Sequence, residues 1–441
     1  MKRFLFLSFT ILVVSAVLVI TACYWNPVSK TGDLTLRFDS GFLSRSISTD
    51  ADTAWVYLKS ESGSFLQFSD TGQYYFEGST ASTLEIPNIP AGKWNVLLAL
   101  GNKTTGAFIP SDYGESGFIM ISPGVKNNAA VVSSKSPLLW STALAGSNVT
   151  GAVTFGSSIF ASTGANLYSG SSITNMAELA PLSGYTIYSI SEGLFFGTSA
   201  GSTNPELWIN TDKGIIPYRS STYLTNFQKT QFLVRQSGAR FSATPENQIT
   251  IFFKTEKGFG GLNVKETNKD ETTPWEWKKY DEFAQNFTGD MVYDFVIHGD
   301  FGYFATKLGA FRLNKDKVET GGSEDFFADA DFFKITIGGD EIPIYGIKYQ
   351  TSDTLIITTG KGVFKAAIDA GATVISNATR ISGTEGLPFT LAAVSDNGAY
   401  AAALSEYGLY LIKWEGDTYK VKTVPFYAGL PGRVTALIWM D

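Results

Sequence analysis

The chain has 441 residues, with 41 acidic against 34 basic side chains, one histidine and one cysteine, for a formal charge of −7. An acidic chain with no dense basic run excludes a nucleic-acid partner, which needs clustered Lys and Arg, and excludes electrostatic docking on anionic lipid. A lone His298 and a lone Cys23 exclude His-rich zinc sites and an internal disulfide. Aromatic residues at 14%, 44 glycines and only 17% charge are the composition of a β-rich chain.

Lys2 and Arg3 precede an uncharged apolar run from Phe4 to Ala22, which ends Ile20-Thr21-Ala22-Cys23. A basic n-region, an apolar h-region and small residues before a cleavage point make a secretory signal. The last four residues resemble the lipobox of bacterial lipoproteins. That resemblance implies a signal peptide over residues 1–22, cleavage before Cys23, and acylation of its thiol and usually of its new amine. Acylation accounts for an odd cysteine in an exported chain, and several acyl chains give stable anchoring where one is marginal. An ordinary signal peptide and a retained span are the other fates. As a helix the run reaches roughly 28 Å, close to a hydrocarbon core. All three fates put the body outside the cytoplasm. Loss of Lys2 and Arg3 takes the charge from −7 to −9. Tyr24 stands where some bacteria place an aspartate to retain lipoproteins at the inner membrane, which favours the outer membrane.

Residues 23–32 form a lipidated tether, and the first folded unit is expected over residues 33–132. Leu34 to Phe38 alternates with period two, and Trp55 to Leu58 does so more weakly. Leu84, Ile86 and Ile89 lead into Pro90-Ala91-Gly92, after which Trp94, Val96, Leu98 and Leu100 alternate again. Phe118 to Ile121 and Ala129 to Val132 flank Pro123-Gly124. Alternation bounded by Gly, Pro and Asn marks antiparallel strands with one buried face. The stretch from Leu84 to Leu98 resembles the strand, Pro-x-Gly turn and aromatic strand of prealbumin-like and carboxypeptidase-regulatory-like β-sandwiches. The resemblance implies a spacer or adhesive module.

Residues 133–441 repeat. The unit is an apolar strand ending in Ser or Thr, two loose residues, Gly or Asn, and a second apolar strand. It runs Phe160 to Thr163 then Asn166, Ile251 to Thr255 then Gly258, Tyr303 to Thr306 then Gly309, Leu355 to Thr359 then Gly362, and Tyr400 to Ser405 then Gly408. A looser copy is read from Leu194 to Thr198, reaching Leu207-Trp208 after an insertion. These anchors lie roughly 35 to 57 residues apart, a spacing of propeller blades. Short antiparallel units of this kind bury both faces only by stacking radially. The expected fold is therefore all-β: an N-terminal β-sandwich and a C-terminal β-propeller of six or seven blades. The interval from Thr198 to Thr255 is where a seventh would hide. A last strand, Val434 to Trp439, is expected to close the ring against Pro137 to Leu144. Neither WD40 dipeptides nor kelch double glycines mark the repeats.

His298 stands beside Gly299 and Asp300 in a predicted hairpin turn and reads as a surface turn residue, not a base. The glycine-rich runs at 258–261 and 360–362 lack the strand-to-helix setting of a phosphate loop. Glu324, Asp325, Asp329 and Asp331 form an acidic cluster. Asp329 and Asp331 offer oxygens to Ca²⁺, which takes six to eight, but no EF-hand spacing surrounds them. The cluster reads as a solvated loop pinned by phenylalanines, and no metal or cofactor is assigned.

The Ser/Thr-x-x-Gly turns, if they join the second and third strands of each blade, emerge on one face. That places Glu256, Lys257, Lys307, Leu308, Lys361, Glu406 and Tyr407 in one ring, the expected binding face, since loops on a rigid scaffold carry function. The sequence thus describes a non-enzymatic lipoprotein of the bacterial envelope, held to a bilayer through acylated Cys23, whose propeller binds a protein or glycan. The alternatives are a polysaccharide hydrolase or lyase, which needs only two carboxylates, and an envelope-assembly scaffold.

Overall fold

The computed structural model describes residues 31–38, 53–61, 75–78, 83–102, 109–135, 144, 147–173, 175–197, 199–225, 233–243, 247–255, 258–265, 278–279, 292–315, 332–351, 353–368, 375–405, 408–416, 418–425 and 437–439. The chain divides into two compact units. One comprises Met1–Gly106 with Pro110–Ser136, the other Ala107–Ile109 with Pro137–Asp441. Both are built from strands, and no helix among the described residues is long and apolar enough to cross a membrane. The leader, Cys23 and the tether to residue 30 lie outside the described residues.

The first unit holds β1 (Thr31–Phe38), β2 (Thr53–Ser60), β3 (Tyr75–Gly78), β4 (Thr83–Pro90), β5 (Gly92–Asn102), β6 (Ile109–Ile121) and β7 (Lys126–Lys135), in the sheet order β3-β2-β5-β6-β7-β1-β4. Strand β7 is shared. Its first half pairs parallel with β1, from Asp33↔Lys126 to Phe38↔Val131, and its second half pairs antiparallel with β6, from Glu115↔Val132 to Asp112↔Lys135. The sheet therefore folds into two layers. Leu34, Leu36, Ile86 and Ile89 of the β1–β4 layer pack on Val56, Leu58, Val96, Leu98 and Leu100 of the β2–β5 layer, which is the core of a sandwich. The turn at Pro90-Ala91-Gly92 forms as the sequence reads. Gly92 has a φ of 147°, and Trp94 Nε1 donates to the Pro90 carbonyl at 2.9 Å. The alternation understates burial, however. Trp55 and Tyr57 stand opposite Ala99 and Leu97, and these four are buried as well.

The second unit contains six four-stranded antiparallel sheets in succession. Sheet 1 is β8 (Val149–Phe155), β9 (Ser158–Thr163), β10 (Leu167–Gly170) and β11 (Ala177–Glu178). Sheet 2 is β12 (Ile187–Phe196), β13 (Thr203–Thr211), β14 (Gly214–Arg219) and β15 (Thr222–Tyr223). Sheet 3 is β16 (Gln236–Ser242), β17 (Gln248–Lys254), β18 (Phe259–Lys265) and β19 (Lys278–Lys279). Sheet 4 is β20 (Val292–His298), β21 (Phe301–Thr306), β22 (Gly309–Asn314) and β23 (Phe332–Phe333), followed by a hairpin of β24 (Ile335–Ile337) and β25 (Asp340–Ile342). Sheet 5 is β26 (Ile344–Tyr349), β27 (Thr354–Thr359), β28 (Gly362–Ile368) and β29 (Ile375–Arg380). Sheet 6 is β30 (Phe389–Val394), β31 (Tyr400–Ser405), β32 (Gly408–Glu415) and β33 (Thr418–Pro425).

In each sheet the first strand is an edge, and first strands pack on one another in chain order: β8 on β12, β12 on β16, β16 on β20, β20 on β26, β26 on β30. The faces between sheets are apolar. Phe252, Phe259, Phe295, Phe304 and Phe311 stack between sheets 3 and 4, and Tyr303, Ala305, Ile347, Leu355 and Ile357 pack between sheets 4 and 5.

Two sequence expectations are corrected. The looser copy is anchored by Thr211, not Thr198. Leu194 lies in the first strand of sheet 2, and the second strand, Thr203–Thr211, carries Leu207 and Trp208 and ends in Thr211-Asp212-Lys213-Gly214. Gly193 caused the misreading. It interrupts the apolar pattern of β12 because a Cβ there would collide with the Trp208 ring. With Thr211 in place the anchors 163, 211, 255, 306, 359 and 405 are spaced 48, 44, 51, 53 and 46 apart, leaving no long interval for a hidden blade. The terminal strand is not formed where it is described: residues 437–439 carry no strand, and Trp439 instead stacks on Tyr400 of sheet 6 at 5.7 Å. Val434 and all but Leu144 of 137–144 lie outside the described residues.

Candidate functional site

The repeated segment, Ser/Thr-x-x-Gly in five sheets and Thr163-x-x-Asn166 in the first, joins the second and third strands, and its hydroxyl closes the turn. Thr211, Thr306 and Thr359 each donate from Oγ1 to the carbonyl of the residue three on, at 2.7, 2.7 and 2.8 Å. Each also accepts from the backbone N–H two residues on, at 3.2, 3.2 and 3.0 Å. In the first and third sheets the amides of Asn166 and Gly258 donate to Thr163 and Thr255. These are hydroxyl turns of the kind Ser and Thr make with nearby backbone. The glycine is obligatory for a separate reason. Gly214, Gly309 and Gly362 have φ of 133°, 134° and 136°, where a side chain is strained.

Of the sequence-predicted binding face, Lys307 and Lys361 are exposed at hairpin tips and Leu308 is half-buried. Glu256, Lys257, Glu406 and Tyr407 lie outside the described residues, as do Glu324, Asp325, Asp329 and Asp331.

At the same end of the sheets, the first strands carry a second repeat that the sequence reading missed. Five of the six first strands shift register at their second residue: Thr150, Tyr188, Tyr293, Tyr345 and Thr390. Each is an extra residue opposite the Ser or Thr anchor of its neighbouring strand, a β-bulge that re-aims a side chain. The first strands are the ones that pack on one another from sheet to sheet, so these five residues form a common rim at one end of that series. Arg235, just before β16, takes the corresponding place in sheet 3, where no bulge occurs. Its guanidinium lies 4.0 Å over the Tyr188 ring, and Tyr293 and Tyr345 meet edge to face at 5.1 Å. Lys254 Nζ donates to the Tyr293 carbonyl. The three tyrosines are half-buried and Thr390 is exposed. The signal was present as Ile187-Tyr188-Ser189, Val292-Tyr293-Asp294 and Ile344-Tyr345-Gly346. It is a strand-initial apolar-Tyr-small or polar triplet, less conspicuous than the Ser/Thr-x-x-Gly turn because it recurs in only three of the six sheets.

Below this rim the inner strands are tied by polar groups. Between sheets 2 and 3, Ser189 Oγ donates to the Arg235 carbonyl at 2.7 Å. Asn210 Nδ2 donates to Ser189 and Ser191 at 2.9 and 3.2 Å, and Ser237 Oγ donates to Asn210 Oδ1 at 2.5 Å. Asp294 joins three sheets. It accepts from Gln236 Nε2 at 3.1 Å, from the Ile347 amide at 3.2 Å, and from Lys348 Nζ at 3.0 and 2.8 Å. Burial alone would raise its pKa, but the charge and hydrogen bonds of Lys348, the Gln236 hydrogen bond and the Lys254 charge together hold it below the ordinary carboxylate range.

Glu192, further along β12, titrates in the opposite direction. The surrounding protein raises its pKa, and the charge of Asp396 raises it further. Its side chain is nonetheless solvent-exposed. Asp396 belongs to the β30–β31 turn of sheet 6. His298 ends β20 at the far end of the sheet from the rim. It stacks on Tyr349 at 3.9 Å, and its Nε2 lies 3.1 Å from Asp353 Oδ1, clasping sheet 4 to sheet 5.

No protein-family model and no curated protein matches the chain. Among solved structures it is similar to PorZ, a surface component of the type-IX secretion system of Porphyromonas gingivalis, with a TM-score of 0.42 and 9% identity over 77% of this chain. The chain spans 54% of the length of that protein. BBS1N, solved in complex with ARL6DN, gives a TM-score of 0.39 at 11% identity, covering 75% of this chain and 88% of its own. Hsv2 of Kluyveromyces lactis gives 0.34 at 9%, covering 62% and 76%. Likeness at this level carries no inference about activity, and the fold described here rests on the sheets themselves.

Proposed function

We propose that this protein is a membrane-tethered, extracytoplasmic binding module, anchored through acylated Cys23, whose six sheets close into a propeller and recognise a saccharide chain at the rim of the inner strands. The observation that carries the reading is the bulge repeated at the second residue of five first strands, which sets Tyr188, Tyr293 and Tyr345 beside Arg235 and Lys254. Closure into a ring is supported by the first strands, which pack on one another in chain order through all six sheets. Tyrosine rings present flat apolar faces with a polar edge. Arg235, Lys254 and Thr390 supply donors and positive charge for hydroxyl or carboxylate groups around them. Recognition needs no cofactor. The Asp294–Lys348 pair and the serine network hold the rim strands in place.

The test uses isothermal titration of the mature chain with neutral and uronate-containing envelope polysaccharide fragments. Wild type binds, and the Tyr188→Ala/Tyr293→Ala/Tyr345→Ala variant loses at least tenfold in affinity while its melting temperature stays within a few degrees. Equal binding by the two would contradict the reading. The raised pKa of the exposed Glu192, to which the charge of Asp396 contributes, favours a second reading, a hydrolase using two carboxylates. It predicts release of reducing ends from the same fragments, abolished by Glu192→Gln.

A further inference from the structure

Among the described residues, the N-terminal unit exposes three large apolar side chains at one end: Phe118, Met120 and Val125, at 46%, 63% and 50% of full exposure. Phe118 and Met120 lie two apart on β6 and share a face, while Ile119 and Ile121 between and after them turn to the core. Val125 sits in the turn that follows. This end is also where the chain arrives from Cys23. The Gly124 amide donates to the Thr31 carbonyl at 2.9 Å and the Asp33 amide to the Val125 carbonyl at 3.1 Å, so the start of β1 is bonded to the turn that carries Val125. Thr31 also pairs with Pro90, which brings the β4–β5 turn alongside, and Lys93 Nζ lies 5.5 Å over the Phe118 ring.

Thr31 is eight residues beyond Cys23, and eight residues reach at most ~29 Å when fully extended. A bilayer holding the acyl chains of Cys23 is thus within reach of this tip. The two lysines at the tip are already matched, Lys93 by Glu61 and Lys126 by Glu85. Its attraction to a bilayer is therefore apolar, not electrostatic. Tethering raises the effective concentration of the surface, so three side chains suffice where a free protein would not bind.

We infer that Phe118, Met120 and Val125 seat the N-terminal unit on the bilayer that holds Cys23, entering the boundary between headgroups and acyl chains, with the stems of Lys93 and Lys126 lying along it. The inference rests on the lipoprotein reading. Seating fixes the unit against the membrane instead of leaving it to swing on its tether.

The test couples the thiol of Cys23 in the mature chain to a maleimide lipid in phosphatidylcholine vesicles containing a photoactivatable acyl chain, and maps the cross-linked peptides by mass spectrometry. Labelling concentrates at residues 118–126, falls at least fivefold in Phe118→Ser/Met120→Ser with an unchanged melting curve, and does not rise when anionic lipid is added. Label that is spread over the chain, that favours residues 137–441, that ignores the double substitution, or that depends on anionic lipid overturns the seating. Acylation in cells is scored separately from the mass of the N-terminal peptide. An unmodified Cys23 there refutes the anchor, whereas an acylated Cys23 with an unlabelled tip refutes the seating alone.

Discussion

The carboxylate of Asp294, on the first strand of sheet 4, holds the ammonium of Lys348, on the first strand of sheet 5, at 3.0 and 2.8 Å. The Asp294 side chain keeps 16% of its exposure and that of Lys348 keeps 30%. The pair is sheltered from bulk water without being dry. It stands one residue below the rim tyrosine Tyr293, so the rim is positioned by a charge pair and not by apolar packing alone. Removing the acid strands Lys348, Gln236 and the Ile347 amide together. Asp294→Ala is expected to cost roughly 2 to 3 kcal/mol in urea unfolding, below the range of a fully buried pair broken on one side.

The same residue sets an acid limit. Its pKa is lower folded than unfolded, so its contribution is complete above the unfolded value near pH 4 and is lost as pH falls through the folded value. Stability measured against pH should drop below about pH 4, and Asp294→Asn should flatten that drop.

Glu192 works with the opposite sign. Its pKa is raised in the folded chain, so ionising it opposes folding, and the penalty grows as pH rises through the folded value. Glu192→Gln should therefore melt higher than wild type at neutral pH and level with it where both states are protonated, below about pH 4. Asp396→Asn should reproduce part of the gain. Identical melting of wild type and Glu192→Gln at pH 7 would mean that folding leaves the Glu192 carboxylate unperturbed.

The turn glycines are constrained by conformation and, at one position, by contact. A Cβ on Gly309 would fall on the Phe333 carbonyl oxygen in addition to demanding a φ of 134°. Gly309→Ala is expected to destabilise by about 2 to 3 kcal/mol. Thr306→Val, which removes the hydroxyl turn but keeps the shape, should cost about 1 to 2 kcal/mol. Unfolding midpoints of the two variants against wild type check both figures.

What the sequence revealed followed from where the physics is local. The hydroxyl turn needs Ser or Thr, two free residues and Gly or Asn within four positions, so five of the six copies could be read directly. The sixth was misplaced because Gly193, required by the Trp208 ring across the hairpin, imitates a strand break. The rim lay further from view. A bulge leaves no composition of its own, and Tyr188, Tyr293 and Tyr345 look like ordinary strand aromatics until the register shift sets them opposite the anchors. The inter-sheet ties of Asp294 and His298 are separated from their partners by more than fifty residues, and no spacing announces them. In the first unit the turn at Pro90-Ala91-Gly92 was legible, but the sharing of β7 between two layers was not, since it depends on where β6 ends its pairing.

The anchor has its own direct check. Cys23→Ser should leave an uncleaved leader or move the protein from the membrane fraction to the soluble one, as read by fractionation and the mass of the N-terminal peptide. Normal processing with acylation retained would refute the lipobox reading.

The central claim, recognition at the inner-strand rim, is tested most directly by hydrogen–deuterium exchange of the mature chain with and without the envelope polysaccharide fragment it binds. Slowed exchange at residues 187–189, 235–237, 292–294 and 344–346 is the predicted result. Protection confined to the opposite ends of the first strands, or to the Lys307 and Lys361 hairpin tips with the rim unchanged, would contradict it.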